Sequence, residues 1–219
     1  MEEKKILAIF GGSFNPPLNS HFSLAQQIVN EYENIEKVIF VPVNSKYEKE
    51  GLLENEHRYN MLKLVCDKNK DFIVSDIELK QEKQLHTIET LELLQNEYPN
   101  NIICFTMGTD NLKEISKWGS SEKLVTDFKI LVLERDEDSM DEIIKNDEFL
   151  LKYKESFIKL KENIRSNISS TFVREKIKRG KSIRYLTPDE VYYYIKENNL
   201  YWPKKWLERA VYVRKAKII

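Results

Sequence analysis

The sequence predicts an α/β fold: a doubly wound parallel sheet of about five to six strands, followed by a helical C-terminal region. Two observations carry this. Five short runs rich in Ile, Val, Leu and Phe show little apolar–polar alternation, as strands covered on both faces do. Helical stripes lie between them, so strand and helix alternate along the chain.

The strand candidates are Ile6–Phe10, Val38–Val43, Phe72–Val74, Ile102–Met107 and Phe128–Leu133. A first helix is marked by Phe22, Ala25, Ile28 and Val29, a second by Tyr59, Leu62, Val65 and Cys66. A third carries Ile88, Leu91, Leu94 and the polar Gln95. The segment 134–166 is charged and helix-prone and reads as a helical insertion or variable segment, with a sixth strand hidden around Phe157–Leu160. Near the end, Thr187-Pro188-Asp189-Glu190 combines a capping threonine, proline at the first helical position and glutamate three after the cap. That pattern starts a helix, with Val191, Tyr194 and Ile195 on its apolar face. The α/β domain is assigned to 1–201 and a basic, aromatic tail to 202–219, which packs through Trp202, Trp206 and Val211 or stays partly disordered.

Composition narrows the function classes. The 219 residues suit one domain with a modest addition, and 41% apolar content supports a core of that size. A net charge of −1 gives no general attraction to nucleic acid or an anionic membrane. No apolar run approaches the ~20 residues that span a bilayer, and the start of the chain carries no leader pattern. Cys66 and Cys104 have no metal or redox spacing and read as buried thiols. A soluble cytoplasmic protein is the expectation, with oligomeric state left open, a homo-oligomer included.

The chain has six glycines and six prolines, and Gly11, Gly12, Pro16 and Pro17 sit together after the first strand. Ligands of open α/β sheets bind at the carboxyl ends of the strands. Glycine allows close backbone approach and positive φ there, and exposed N–H groups with the next helix N-terminus favour a phosphate. Pro16 and Pro17 stiffen the loop and Ser20 is the cap candidate, which puts His21 in the first helical turn. An ordinary strand-to-helix connection with a capping or core histidine is the alternative. The glycine pair lacks the lysine of a phosphate-binding P-loop and the spacing of a dinucleotide fingerprint.

A second element, "NISSTFVREKIKRG" (Asn167–Gly180), opens a helix on Ser169, Ser170 and Thr171, with Arg174 one turn after Ser170. Hydroxyls, N–H groups and a guanidinium then converge as a second anion site suited to a polyphosphate. A capped surface helix with an exposed arginine is the other reading.

Together, "GGSFNPPLNSH" and "ISSTFVR" resemble the two motifs of the nucleotidyltransferase superfamily, GxFxPxxxxH and ISSTxxR. They are closest to the nicotinate and nicotinamide mononucleotide adenylyltransferases. "VPVNSKYEKEGLLENEHR", "HTIETLELL", "GTDNLKEISKW" and "YLTPDEVYYYIKENNLY" resemble further family segments, in order. Only 134–166 and the tail fall outside. The resemblance implies a Rossmann-like fold and adenylyl transfer from ATP to nicotinate or nicotinamide mononucleotide, in NAD biosynthesis, with Mg²⁺ on the ATP phosphates. Another phosphate-bearing small-molecule acceptor and a catalytically weak nucleotide-binding regulator are the rival readings.

The site implied by the resemblance follows residue by residue. Gly11, Gly12, Ser13 and Phe14 match the loop that contacts ATP, Ser13 and Phe14 also the mononucleotide. His21 and Arg174 match the catalytic pair, and Ser169 and Ser170 hold ATP phosphates beside Arg174. Gly108 and Asp110 match residues near the adenosine ribose. Lys49, Thr87, Thr90 and Trp118 match the mononucleotide side, Trp118 by stacking on the pyridine ring. Arg58 fits a family arginine of less defined role, and His57 and His86 read as structural. One departure stands out. Relatives carry H-x-G-H or T-x-x-H where this chain has Leu18-Asn19-Ser20-His21. Leucine cannot donate to a phosphate, and one lost donor costs about 10²–10³ in rate, so Leu18→Thr is expected to raise kcat if that contact is missing.

Overall fold

The structure, a computed structural model, describes residues 4–46, 51–135, 137–160 and 166–203. Among these, six parallel strands form one sheet: β1 (Ile6–Gly12), β2 (Ile35–Pro42), β3 (Phe72–Val74), β4 (Ile102–Gly108), β5 (Lys129–Leu133) and β6 (Phe157–Lys159). Their order is β3-β2-β1-β4-β5-β6. The chain builds outward from β1 to β3, crosses back, and builds the other way from β4. The reversal opens a crevice at the carboxyl ends of β1 and β4.

Both faces of the sheet are covered, which explains the unbroken apolar runs. Leu7, Ile9, Ile39, Val41, Ile103 and Ile130 pack into one cluster with α3 (Thr87–Glu97), α4 (Thr109–Leu112), α5 (Ser121–Asp127), α6 (Met140–Lys145) and α7 (Glu148–Lys152). Their alternating neighbours Ala8, Phe10, Val38, Phe40, Cys104 and Leu131 pack with α1 (Asn19–Glu31) and α2 (Asn55–Cys66). Both cysteines are buried, and burial pushes each thiol up to about 12.

The stripe on α1 buries Phe22, Ala25 and Ile28 as the spacing predicts. On α3, Ile88, Leu91 and Leu94 are buried, and Gln95 Nε2 donates to the carbonyls of Tyr98 (3.1 Å) and Asn101 (3.0 Å). On α2 the buried face is rotated from the predicted one: it is Arg58, Met61, Leu62 and Cys66, with Tyr59 and Val65 only half-buried. A polar residue inside the stripe hid this face from a hydrophobicity count. The charged segment after β5 carries α6, α7 and then β6, so the hidden strand is present. Tyr32 Oη ties β6 to the end of α1 by donating to Lys159 O at 2.6 Å.

A third cluster joins α2, α8 (Ser170–Lys178) and α9 (Asp189–Glu197) around Leu18, Met61, Val173, Ile177, Val191 and Ile195. α9 starts one residue later than its motif predicts, with Pro188 preceding it and no side-chain cap. The Thr187 hydroxyl is buried without a hydrogen-bond partner, and Glu190 pairs with Lys68 at 2.6 Å. Trp202 packs on this cluster; Trp206 and Val211 lie outside the described residues.

Leu18 is 1% exposed and its side chain belongs to this third cluster. It is a core residue, so a gain in kcat is not the expected outcome of Leu18→Thr. Instead, Leu18→Thr should destabilise the fold by at least ~2 kcal/mol, through lost packing and a buried hydroxyl. Urea unfolding should show a lower midpoint at unchanged slope.

Candidate active site

At the carboxyl ends of β1, β4 and β5 lies a crevice of two lobes. The larger, about 620 Å³, is lined by Thr87, Gly108, Trp118 and Glu78 among others; the smaller, about 400 Å³, by Phe14, His21, Ser169, Ser170 and Arg174. Their linings share Phe10, Gly11, Gly12, Ser13, Leu133 and Arg135. The glycine loop is therefore the partition between the lobes and reaches both.

Donors behind this loop fix the way its peptides face. Gly12 O accepts from Val43 N at 3.0 Å, and Ser13 O accepts from Arg58 Nη1 at 3.1 Å. In a planar trans peptide the following N–H points the opposite way, so the N–H groups of Ser13 and Phe14 face away from those donors. Asn15 O accepts from Arg174 Nη1 at 2.9 Å, and Pro16 O from Ser170 Oγ at 2.8 Å. The left-handed residue of the loop is Phe14, at φ 45°, and neither glycine has positive φ. That corrects the sequence expectation: Phe14 is held in this conformation by burying its ring against Phe10, Phe40 and His21. Arg58 is itself fully buried, with Nε on Leu53 O (2.7 Å) and Nη2 on Asn55 Oδ1 (2.7 Å). It supports the loop from behind.

His21 is in the first turn of α1, as predicted, but Ser20 is not the cap. The helix starts at Asn19 with Leu18 in the capping position. The Leu18 N–H donates to His21 Nδ1 at 3.0 Å, so the ring nitrogen takes the role that a capping glutamate usually has. A backbone N–H can only donate, so Nδ1 is unprotonated and the proton of the neutral ring is on Nε2. The ring packs edge-on to Phe14 at 5.2 Å. Burial, with the Arg135 cation adding to it, lowers His21 to about 4. The site therefore holds a neutral imidazole with Nε2–H available as a donor.

At the N-terminus of α8, Ser169 accepts from Phe172 N at 3.1 Å, which leaves its O–H as a donor. Arg174 Nη2 donates to Thr171 Oγ1 at 3.1 Å. The predicted convergence is present, since Ser169, Ser170, Thr171 and Arg174 line the smaller lobe with His21. Part of it is used to hold the loop: Ser170 and one arm of Arg174 are already bonded to loop carbonyls.

In the larger lobe, Thr87 is the first residue of α3 and Trp118 rests partly buried on the sheet-side cluster. Thr90 is 4% exposed, and its hydroxyl donates to Glu78 Oε1 at 2.8 Å. Gln84 Nε2 donates to Glu78 Oε2 at 3.1 Å, and burial raises the Glu78 pKa. Thr90 thus serves the wall through Glu78. Gly108 ends β4 in this lobe beside Trp118, apart from the serine cluster, while Asp110 pairs with Arg135 at 3.1 Å. Lys49 lies outside the described residues. His57 Nδ1 meets Tyr194 Oη at 3.0 Å and links α2 to α9, as a structural reading expects, whereas His86, at the capping position before α3, lines the larger lobe.

Gly108 has a steric reason. A Cβ there would lie 2.3 Å from Asp110 Oδ1 and 2.6 Å from Arg135 Nε. Gly108→Ala should break the Asp110–Arg135 pair and move Arg135 out of the partition. Titration with ATP or mononucleotide should show affinity lower by about tenfold or more, the scale of one charge-assisted contact.

Among the lining residues that the sequence does not single out are Arg135 and Glu78. Arg135 stands two residues past the end of β5, near the usual place for a ligand contact, but in the sequence it is one charge among many in the segment 134–166. Glu78 lies in "SDIEL", where nothing in the pattern separates a buried carboxylate from a solvated one.

Comparison with known proteins fits this geometry. The cytidylyltransferase-like family model matches residues 9–176. A probable nicotinate-nucleotide adenylyltransferase of Clostridium tetani is 34% identical over 197 residues, covering 89% of this chain and 98% of that protein. One from Carboxydothermus hydrogenoformans is also 34% identical, over 196 residues, covering 89% and 97%. Among solved structures, Plasmodium falciparum nicotinic acid mononucleotide adenylyltransferase complexed with NaAD superposes with TM-score 0.72 at 24% identity, over 90% of this chain and 97% of that one. The same enzyme complexed with APC gives 0.71 at 24% identity, with the same coverage. At this identity the likeness establishes the shared fold.

Proposed function

This chain belongs to the nicotinate-nucleotide adenylyltransferase family of cytidylyltransferase-like proteins, and on that premise we propose that it transfers the adenylyl group of ATP to nicotinate mononucleotide. The products are deamido-NAD and pyrophosphate, in NAD biosynthesis. The observation that carries the proposal is the shared partition: two lobes meet at Gly11–Ser13, with His21 and Arg135 beside it. A donor nucleotide in the smaller lobe and an acceptor in the larger one bring their phosphates together at that point.

The acceptor's 5′-phosphate oxygen attacks the α-phosphorus, and the bond to the β-phosphate oxygen breaks. No proton has to move and no covalent enzyme intermediate is needed. The protein's task is to hold two anions together and to balance charge as it builds on the transferring phosphate. His21 donates from Nε2–H to that phosphate. Because its ring is already neutral, it acts as a fixed donor and does not deliver a proton. The N–H groups of the loop serve both sides, Arg135 spans the two lobes, and Arg174 with Ser169 holds the phosphates that leave. Trp118 offers a flat face to the pyridine ring.

Among the described residues no three His, Cys, Asp or Glu side chains gather as a metal site. The smaller lobe presents mainly N–H groups, hydroxyls and guanidinium, and its one carboxylate, Glu134, is paired with Lys159 at 2.8 Å, a set suited to a cation that arrives on substrate oxygens. Mg²⁺ carried in with ATP would be held beside Ser169, Ser170 and Arg174 and would supply positive charge that neutralises the departing pyrophosphate.

Nicotinate is preferred to nicotinamide in this reading. The larger lobe is bordered by the N-terminal turn of α3, whose N–H groups and dipole favour a carboxylate. The nearby Glu78 oxygens are engaged by Thr90 and Gln84. The test is kcat/KM on the two mononucleotides with saturating ATP. A higher value for nicotinate supports the assignment, and a higher value for nicotinamide overturns it.

A further inference from the structure

We propose that Tyr201 is a positioning residue for the phosphate loop, acting through Asn15. Asn15 is 2% exposed and is held from three parts of the chain. Its Nδ2 donates to Gly51 O at 2.8 Å, and its carbonyl accepts from Arg174 Nη1 at 2.9 Å. Its Oδ1 accepts from Leu53 N at 3.4 Å and from Tyr201 Oη at 2.7 Å. The bond to Tyr201 is by far the shorter at that oxygen, and the other is at the edge of hydrogen-bond range.

The end of α9 is shaped to deliver this hydroxyl. Asn199 and Tyr201 both adopt left-handed backbone, at φ 52° and 64°, which non-glycine residues seldom do. Between them Leu200 is buried in the third cluster, and its N–H donates to Ile195 O at 3.0 Å. The chain thus turns back on itself, and Tyr201 meets the loop from the side opposite the nucleotide lobes. Tyr201 lines neither lobe. Burial raises its phenol pKa, so the group stays a donor. Asn15 lies between Phe14, whose N–H faces away from the supporting donors, and Pro16, whose carbonyl Ser170 holds. Rotation of the Asn15 amide would release the loop from the Leu53 segment and shift the N–H groups beside it.

The experiment uses the full chain and Tyr201→Phe, which removes only the hydroxyl. Amide hydrogen exchange of the 11–18 segment should speed about tenfold, the scale of one buried hydrogen bond, with exchange in β2 and α3 unchanged. On the adenylyl-transfer reading, kcat should fall about tenfold with both KM values within twofold. In an Asn15→Ala background, Tyr201→Phe should add nothing. Loop exchange at the parent rate, a uniform rise across the chain, or an equal effect in the Asn15→Ala background would overturn the proposal. A parent protein that makes no dinucleotide would sink the functional reading alone, because the exchange measurement decides the role of Tyr201 without turnover.

Discussion

Replacing His21 with alanine should lower kcat by about 10²–10³-fold while both KM values change only a few-fold, the signature of a donor that matters most in the transition state. The Leu18 N–H occupies Nδ1 and so sets the tautomer, which leaves Nε2–H as the donor of a ring that lines the smaller lobe. His21→Asn, with a shorter donor, should retain part of the rate. The pH dependence separates a fixed donor from a general acid. Burial holds His21 near 4, so kcat should not fall between pH 6 and 8 through its titration, as it would for an imidazolium acid of ordinary pKa.

The same shift bears on stability. The folded pKa of His21 is below the ordinary 6.5, so between those values the unfolded chain binds more protons. The contribution is complete above the unfolded value and is lost as pH falls toward 4. Denaturation midpoints of the parent protein should drop over that interval more steeply than those of His21→Asn.

Arg174→Ala should have the second large effect, about 10³-fold in kcat/KM for ATP, because the side chain has two tasks. Its charge faces the lobe assigned to the ATP phosphates, where a charge-assisted contact is about twice as strong as a neutral one. Its Nη1 also satisfies Asn15 O, and a buried carbonyl left unpaired costs about 1–3 kcal/mol. Arg174→Lys keeps the charge but not the planar fork that reaches Asn15 and Thr171 together. It should fall between, with KM for ATP less affected than kcat.

The sheet was legible because parallel strands buried on both faces leave a simple trace: apolar runs at the right spacing, including the short one at Phe157. Helix starts were less legible. Ser20 and Thr187 are ordinary cap residues by type, yet the contacts around them decide otherwise. His21 supplies the ring nitrogen that receives the Leu18 N–H, and the loop before α9 buries Thr187. Leu18 shows how a motif comparison goes astray in isolation. Its position along the loop suggested a missing phosphate contact, but its side chain is drawn into a core formed by α2, α8 and α9, more than a hundred and fifty residues away for the last. Such a core cannot be read from local pattern.

The site was legible where residue type and chemistry coincide, as in the serines, Arg174 and His21. It was opaque where a residue works through another. Arg58, Asn15 and Thr90 are buried polar groups whose partners come from distant segments, and no spacing along the chain marks such pairs. Arg135 was hidden by its charged neighbours, although it occupies the end of a strand beside the switch point.

Direct adenylyl transfer between phosphates held in the two lobes is tested by incubating the full chain with Mg²⁺, ATP and nicotinate mononucleotide and following deamido-NAD and pyrophosphate together. The two products should form in equal amounts, at a rate that collapses in His21→Ala. Binding of both substrates with no dinucleotide formed, or pyrophosphate released without it, would overturn direct transfer.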